Sequence, residues 1–146
     1  MKITVEHSDV AENEIVLRCA SLDEECLHIL ALLNSQHKKL CVWKELGTFT
    51  FLMPTEILYC ETVDDKTFVY TPQEVYQTAL SLAELETRYE AVGLLRASKS
   101  MVVNLHAIAT LTSRAGSRID ACMQNGEIIV ISRHYAPLLR ERLGLL

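Results

Sequence analysis

The chain has 146 residues, 49% of them apolar, and a formal net charge of −5. That much apolar sequence can build a core for one ordinary domain or two small ones, which excludes a chain disordered throughout. No apolar run approaches the ~20 residues that cross a bilayer, and Lys2-Ile-Thr-Val-Glu-His7 is too short and polar for the core of a signal peptide, so a cytoplasmic location is expected.

Lys2 to His7 and Glu14 to Cys19 alternate as short strands do. Ser21-Leu-Asp-Glu24 reads as a capping box at a helix start, and the helix it opens places Leu22, Cys26, Ile29, Leu30 and Leu33 on one face before ending near Gln36. Leu40 to Lys44 and Thr48 to Leu52 read as a strand pair turning at Gly47. Residues 1–53 are therefore expected to form a β-β-α-β-β unit, with Pro54 marking the boundary to a second unit over residues 54–146.

Short strands follow at Ile57 to Cys60, Thr67 to Thr71, Val75 to Leu80, Leu94 to Ala97, Met101 to Asn104, Ile108 to Leu111, Arg118 to Met123 and Ile128 to Ser132. Their spacing points to an antiparallel β-domain, making the protein mainly β and α+β overall. Ser81 and Glu84 form a second capping box, opening a helix of about two turns with Leu82, Leu85 and Tyr89 inward. Asn125-Gly126 is expected to form a type I′ hairpin. A last helix runs from Tyr135 to Leu143, with Pro137 in its first turn and Gly144 beyond its end.

Chemistry concentrates in two blocks, Arg96-Ala-Ser-Lys-Ser-Met-Val-Val-Asn104 and Ile131-Ser-Arg-His-Tyr135. Each sets a strand-like apolar stretch beside Ser, Lys, Arg or Asn, the side chains that bond phosphates and base edges. Charge divides along the chain in the same sense. From Arg96 onward seven basic residues face three acidic ones, a surplus of four, which leaves −9 on residues 1–95. Steering toward DNA depends on the local field, so an acidic total does not exclude a nucleic-acid surface.

Catalytic and metal signatures are missing from the sequence. It contains no Gly-rich phosphate loop, His-Glu-x-x-His or Gly-x-Ser-x-Gly, and its five histidines have no metal-ligand spacing. Cys19, Cys26, Cys41, Cys60 and Cys122 form no Cys-x-x-Cys pair and are expected to be reduced small hydrophobes. No enzyme activity, metal or cofactor is expected.

The two blocks resemble the LytTR family of bacterial DNA-binding domains, whose pattern runs approximately Phe-x-Arg-x-His-Arg-Ser-Tyr-Ile-Val-Asn and then Val-Ser-Arg-x-Tyr. Glu56-Ile-Leu-Tyr-Cys-Glu61 is similar to the family's opening strand, Ser81-Leu-Ala-Glu-Leu-Glu86 to its central helix, and Asn125-Gly126 to the hairpin before the second block, all in the family's order from Pro54 to Leu146. Two departures stand out: Ser98 replaces a frequent His, and Lys99 replaces a frequent Arg. Lysine keeps the charge but loses the planar fork that grips guanine at two points.

The resemblance implies a stand-alone transcriptional regulator that binds specific double-stranded DNA through loops and strand ends, reaching the major groove and phosphates. It puts Lys99 in the groove, Ser100 on a phosphate, and Ser132-Arg133 where a groove-reading Arg stands; without it, Lys99-Ser100 reads as a solvated turn and Arg133 as a surface ion pair with Glu127 or Glu141. Ser98 belongs to the same contact set. Asn104 is expected to bond backbone at a strand end ahead of reading a base, and Arg96 to be half-buried in an ion pair ahead of touching phosphate. Beside Asp64 and Asp65, only Lys66 and Thr67 are credible contacts in the loop that the family also brings near DNA. Residues 1–53 are too few for a phosphoacceptor receiver domain and are expected to dimerise the protein. The alternative is a regulator acting mainly through protein contacts of that unit, and the family also suggests an inhibitory membrane-protein partner.

Overall fold

The computed structural model of the protein describes residues 1–35 and 39–145. Helix α1 spans Glu24–Ser35 and is followed by strands β1 (Leu40–Trp43), β2 (Phe49–Leu52), β3 (Tyr59–Val63), β4 (Lys66–Tyr70) and β5 (Val75–Thr78). Helix α2 (Leu82–Tyr89) precedes β6 (Leu94–Ser98), β7 (Met101–Asn104), β8 (Ile108–Arg114), β9 (Arg118–Met123) and β10 (Ile128–Ile131), and α3 (Ala136–Arg142) closes the chain.

The strands form two antiparallel sheets. One holds seven strands in the order β2-β1-β5-β4-β3-β7-β6, the other is the meander β10-β9-β8. Leu94-Leu95 and Val102-Val103 are unbroken apolar runs because their strands are covered on both faces, and successive side chains point opposite ways. Tyr59, Leu95, Ala97 and Val103 pack beneath Ile119, Ala121, Met123, Ile129 and Ile131 of the smaller sheet, with Ala136 and Leu139 of α3. Cys60, Val69, Leu94 and Val102 face the other way, onto Leu82, Leu85 and Tyr89 of α2, together with Leu40, Val42 and Leu52. The two sheets also meet edge to edge, where Ser132 N donates to Ala97 O at 2.9 Å.

Several expectations need correcting. Lys2–His7 and Glu14–Cys19 form no strand, so the first unit is helix, strand, strand. Its β1–β2 hairpin joins the same sheet as the strands after Pro54, pairing through Trp43 and Gln77. Asp23, not Ser21, caps α1: its carboxylate accepts from Cys26 N at 2.9 Å, which holds it below the usual carboxylate range. On α1, Cys26 is buried while Leu30 is exposed, and Leu22, expected on the same face, precedes the helix and is exposed; Gln36, the expected end, lies outside the described residues. At α2 the Ser81 hydroxyl caps Glu84 N at 3.1 Å as expected, but the Glu84 carboxylate meets that hydroxyl instead of backbone.

The type I′ turn is also elsewhere. Asp64 and Asp65, with φ of 50° and 62°, make the tight β3–β4 turn, whereas of Asn125-Gly126 only Gly126 has positive φ. The β9–β10 connection closes over a longer loop, with Met123 N bonded to Glu127 O at 2.8 Å and the Asn125 side chain accepting from Glu127 N.

Candidate nucleic-acid interface

The β6–β7 hairpin closes at the Ser98–Met101 pair over the two-residue turn Lys99-Ser100, with a bulge between Arg96 and Ser98. Arg96 is half-buried and bent back over that turn. Its Nε donates to Ser98 O at 2.8 Å and its Nη2 to Lys99 O at 2.6 Å, while its backbone N–H donates to the Glu86 carboxylate at 2.8 Å. Two charge-assisted bonds to consecutive carbonyls make Arg96 a brace that fixes the direction of Lys99. Among the described residues its guanidinium is in no ion pair. Ser98 Oγ accepts from Ser100 N at 3.3 Å, and Ser100 O accepts from Thr62 N at 2.9 Å, tying the turn to the end of β3. Lys99 and Ser100 are exposed.

The second block arrives at the same place. Through its bond to Ala97 O, Ser132 holds the end of β10 one residue from Ser98, and its own carbonyl accepts from Tyr135 N and Ala136 N at 3.0 and 2.9 Å to start α3. Arg133 and His134 stand exposed in the turn between, and the His134 ring meets Tyr135 edge-on with centroids 4.7 Å apart. Among the described residues Arg133 forms no ion pair, so neither Glu127 nor Glu141 neutralises it, and the same holds for Lys66, Lys99 and Arg118.

Arg118 was not singled out from sequence. Ile119 pairs with Ile131, so Arg118 stands level with Ser132 across the smaller sheet, and with Ser98, Met101 and Ser132 it lines a cleft of about 690 Å³. Gly116 and Ser117 have positive φ and turn the chain from Arg114, which is held by Asp120 at 2.8 Å, to the exposed Arg118. The only local hint was a Gly-Ser-Arg run; the information lies in strand register.

The other residues of the two blocks and the loop divide plainly. Lys66 is exposed beside the Asp64-Asp65 turn, but Thr67 is buried and offers nothing to an outside ligand. Asn104 is 3% exposed. Its Nδ2 donates to Ile57 O at 2.8 Å and its Oδ1 accepts from His106 N at 3.0 Å, so both ends of the amide serve the fold. What remains on one end of the molecule is Lys99, Arg118 and Arg133, three cations without an ion pair among the described residues, on two turns and a strand start, with Ser98, Ser100 and Ser132 between them. Cations and hydroxyls converging on a rigid rim can bond a polyanion's phosphates while long basic side chains reach beyond them.

The profile of the LytTr DNA-binding domain family matches residues 47–144. The chain is 31% identical over 90 residues to the sensory transduction protein LytT of Bacillus cereus, covering 62% of this chain and 37% of that protein. It is 23% identical over 96 residues to the LytT of Enterococcus faecalis, 65% of this chain and 40% of the relative. It thus spans well under half the length of these curated relatives. Among solved structures, the LytTr DNA-binding domain of a response regulator from Bacillus cereus superposes with a TM-score of 0.68 at 26% identity, covering 74% of this chain and 99% of that one.

Proposed function

The chain belongs to the LytTr DNA-binding domain family, and from that premise we propose that it is a sequence-specific transcriptional regulator whose basic rim of Lys99, Arg118 and Arg133 docks on double-stranded DNA. The observation that carries this reading is the Ser132–Ala97 bond at 2.9 Å. It joins two blocks separated by some thirty residues into one surface, with Lys99 and Arg133 exposed on either side of it.

Each part of the rim has a distinct role. Arg133, with a planar fork and no ion pair among the described residues, reads a guanine edge. Lys99 and Arg118 neutralise phosphates, Ser98, Ser100 and Ser132 bond phosphate oxygens, and Arg96 positions Lys99 without touching DNA. Lys66 is a peripheral contact, weakened by the aspartates beside it. Residues 1–53 act as a dimerisation unit, so two rims address paired half-sites about one helical turn apart or a small multiple of it.

Selection of bound duplexes from a random pool tests the reading. The expected result is a recurring site whose affinity falls steeply with salt through counterion release. A pool that yields no enriched sequence would overturn it.

A second reading, in which protein contact is the main activity, is favoured by the apolar side chains that residues 1–51 leave exposed. Those side chains point to a more specific arrangement.

A further inference from the structure

The seven-stranded sheet is covered unevenly. Pairing carries one face from Trp43 to Gln77, Phe68, Glu61 and Met101, and the smaller sheet packs on that same face over Tyr59, Leu95 and Val103. The β2–β1 end lies beyond this cover. Cys41 pairs with Phe51 and Trp43 with Phe49, which puts all four on the open face; Phe49 and Phe51 are 59% and 60% exposed. The rings of Trp43 and Phe49 meet edge-on at 6.2 Å. β2 is moreover an outer strand of the sheet, so a row of backbone donors and acceptors runs alongside the aromatic pair. An edge of this kind, apolar and without a bulge, is a template for another strand.

The chain also carries a complementary segment. Lys2-Ile-Thr-Val-Glu-His7 alternates apolar and polar with a period of two, the signature of a strand with one buried face, yet among the described residues it forms no strand pairing and leaves Ile3 and Val5 86% and 77% exposed. Within its own chain the segment begins beside α1, where the Met1 amino group lies 3.8 Å from the Glu25 carboxylate.

We propose that two copies associate by strand exchange, the Lys2–His7 segment of each adding to the outer edge of β2 in the other. This rests on the dimer reading given above and names its interface. Added there, Ile3 and Val5 stand beside Phe49 and Phe51 as cross-strand neighbours, and Lys2, Thr4 and Glu6 point to the opposite face. A two-fold arrangement lets each copy donate one strand and receive one, so both open edges are closed at once and no third copy can add.

Sedimentation velocity of the full chain at tens of micromolar tests the proposal, comparing the wild type with the double variants Ile3→Glu/Val5→Glu and Phe49→Glu/Phe51→Glu. The four side chains are all exposed, so circular dichroism should not change. The wild type is expected to run as a dimer, and each double variant to weaken dimerisation by about tenfold or more while leaving affinity for a single half-site duplex intact. A dimer that survives both variants overturns strand exchange but leaves the dimer reading standing. A monomeric wild type overturns both, and DNA binding is then judged by the single half-site alone. Hydrogen exchange on the wild type is an independent check: amides of residues 2–7 and 49–51 should gain protection together as concentration rises, and protection that ignores concentration overturns the exchange.

Discussion

Replacing Asn104 separates a structural amide from a base-reading one. In Asn104→Ala the carbonyl of Ile57 loses its donor; Ile57 is fully buried, so stranding that group costs about 1–3 kcal/mol. The N–H of His106 also loses its acceptor, but His106 is exposed and water can replace part of the bond, adding roughly 0.5–1.5 kcal/mol. The sum is about 2–4 kcal/mol, and at roughly 2–4 °C per kcal/mol for a chain near this size the melting temperature should fall by about 5–15 °C. Asn104→Asp should cost at least as much, because a carboxylate oxygen would replace the amide N–H that faces Ile57 O at 2.8 Å. Urea unfolding gives the stability, and anisotropy with a selected duplex, well below the melting temperature, gives the binding. Affinity and base preference should stay within about twofold of wild type, a change worth only about 0.4 kcal/mol. A stability loss under about 1 kcal/mol, combined with relaxed preference at one base position, would refute the reasoning and make Asn104 a reader.

Other substitutions probe the rim and its supports. Gly93→Ala puts a Cβ 2.8 Å from His106 Cδ2 and 3.1 Å from Asn104 Oδ1 at a φ of 107°, so urea unfolding should show a loss of about 1–3 kcal/mol. Arg96→Ala removes both carbonyl bonds over the Lys99 turn; amide exchange at residues 98–100 should accelerate, and affinity should drop for all duplexes alike. Arg133→Ala should cost about 1–3 kcal/mol and relax one or two base positions, whereas Lys99→Ala and Arg118→Ala should each weaken every sequence equally and lower the salt slope by about one unit. Burial pushes the Cys60 thiol up to about 12, so at neutral pH a thiol reagent should label exposed Cys19 and Cys41 and reach Cys60 only on unfolding, as peptide mapping would show.

The sequence made local features legible and left long-range ones hidden. Leu94 to Ala97 and Met101 to Asn104 announced short strands, and Ser81 with Leu82, Leu85 and Tyr89 announced a capped helix with one apolar stripe, because cap and period are set within a few residues. The alternation of Lys2–His7 announced a strand too, but alternation does not name a partner, and in the single chain the segment lies beside α1, away from the open edge of β2. Asn125-Gly126 had the composition of a type I′ turn, yet the longer β9–β10 connection keeps Asn125 at negative φ, while the less typical Asp64-Asp65 takes that geometry because β3 and β4 pair right up to Val63 and Lys66. Within the site, Lys99 and Arg133 were legible as exposed cations beside apolar strands. Arg118 and the brace formed by Arg96 were not, since one depends on the register of β9 with β10 and the other on a side chain folding back over its own turn.

In the proposed complex the end of the fold carrying the Lys99 and Arg133 turns faces DNA. Hydrogen exchange of the full chain, with and without a selected duplex, tests it most directly. New protection is expected at residues 98–100, 116–118 and 132–134, with α1 and the β1–β2 hairpin unchanged. Protection centred on β1, β2 or α1, with those three segments exchanging as freely as before, would overturn that orientation.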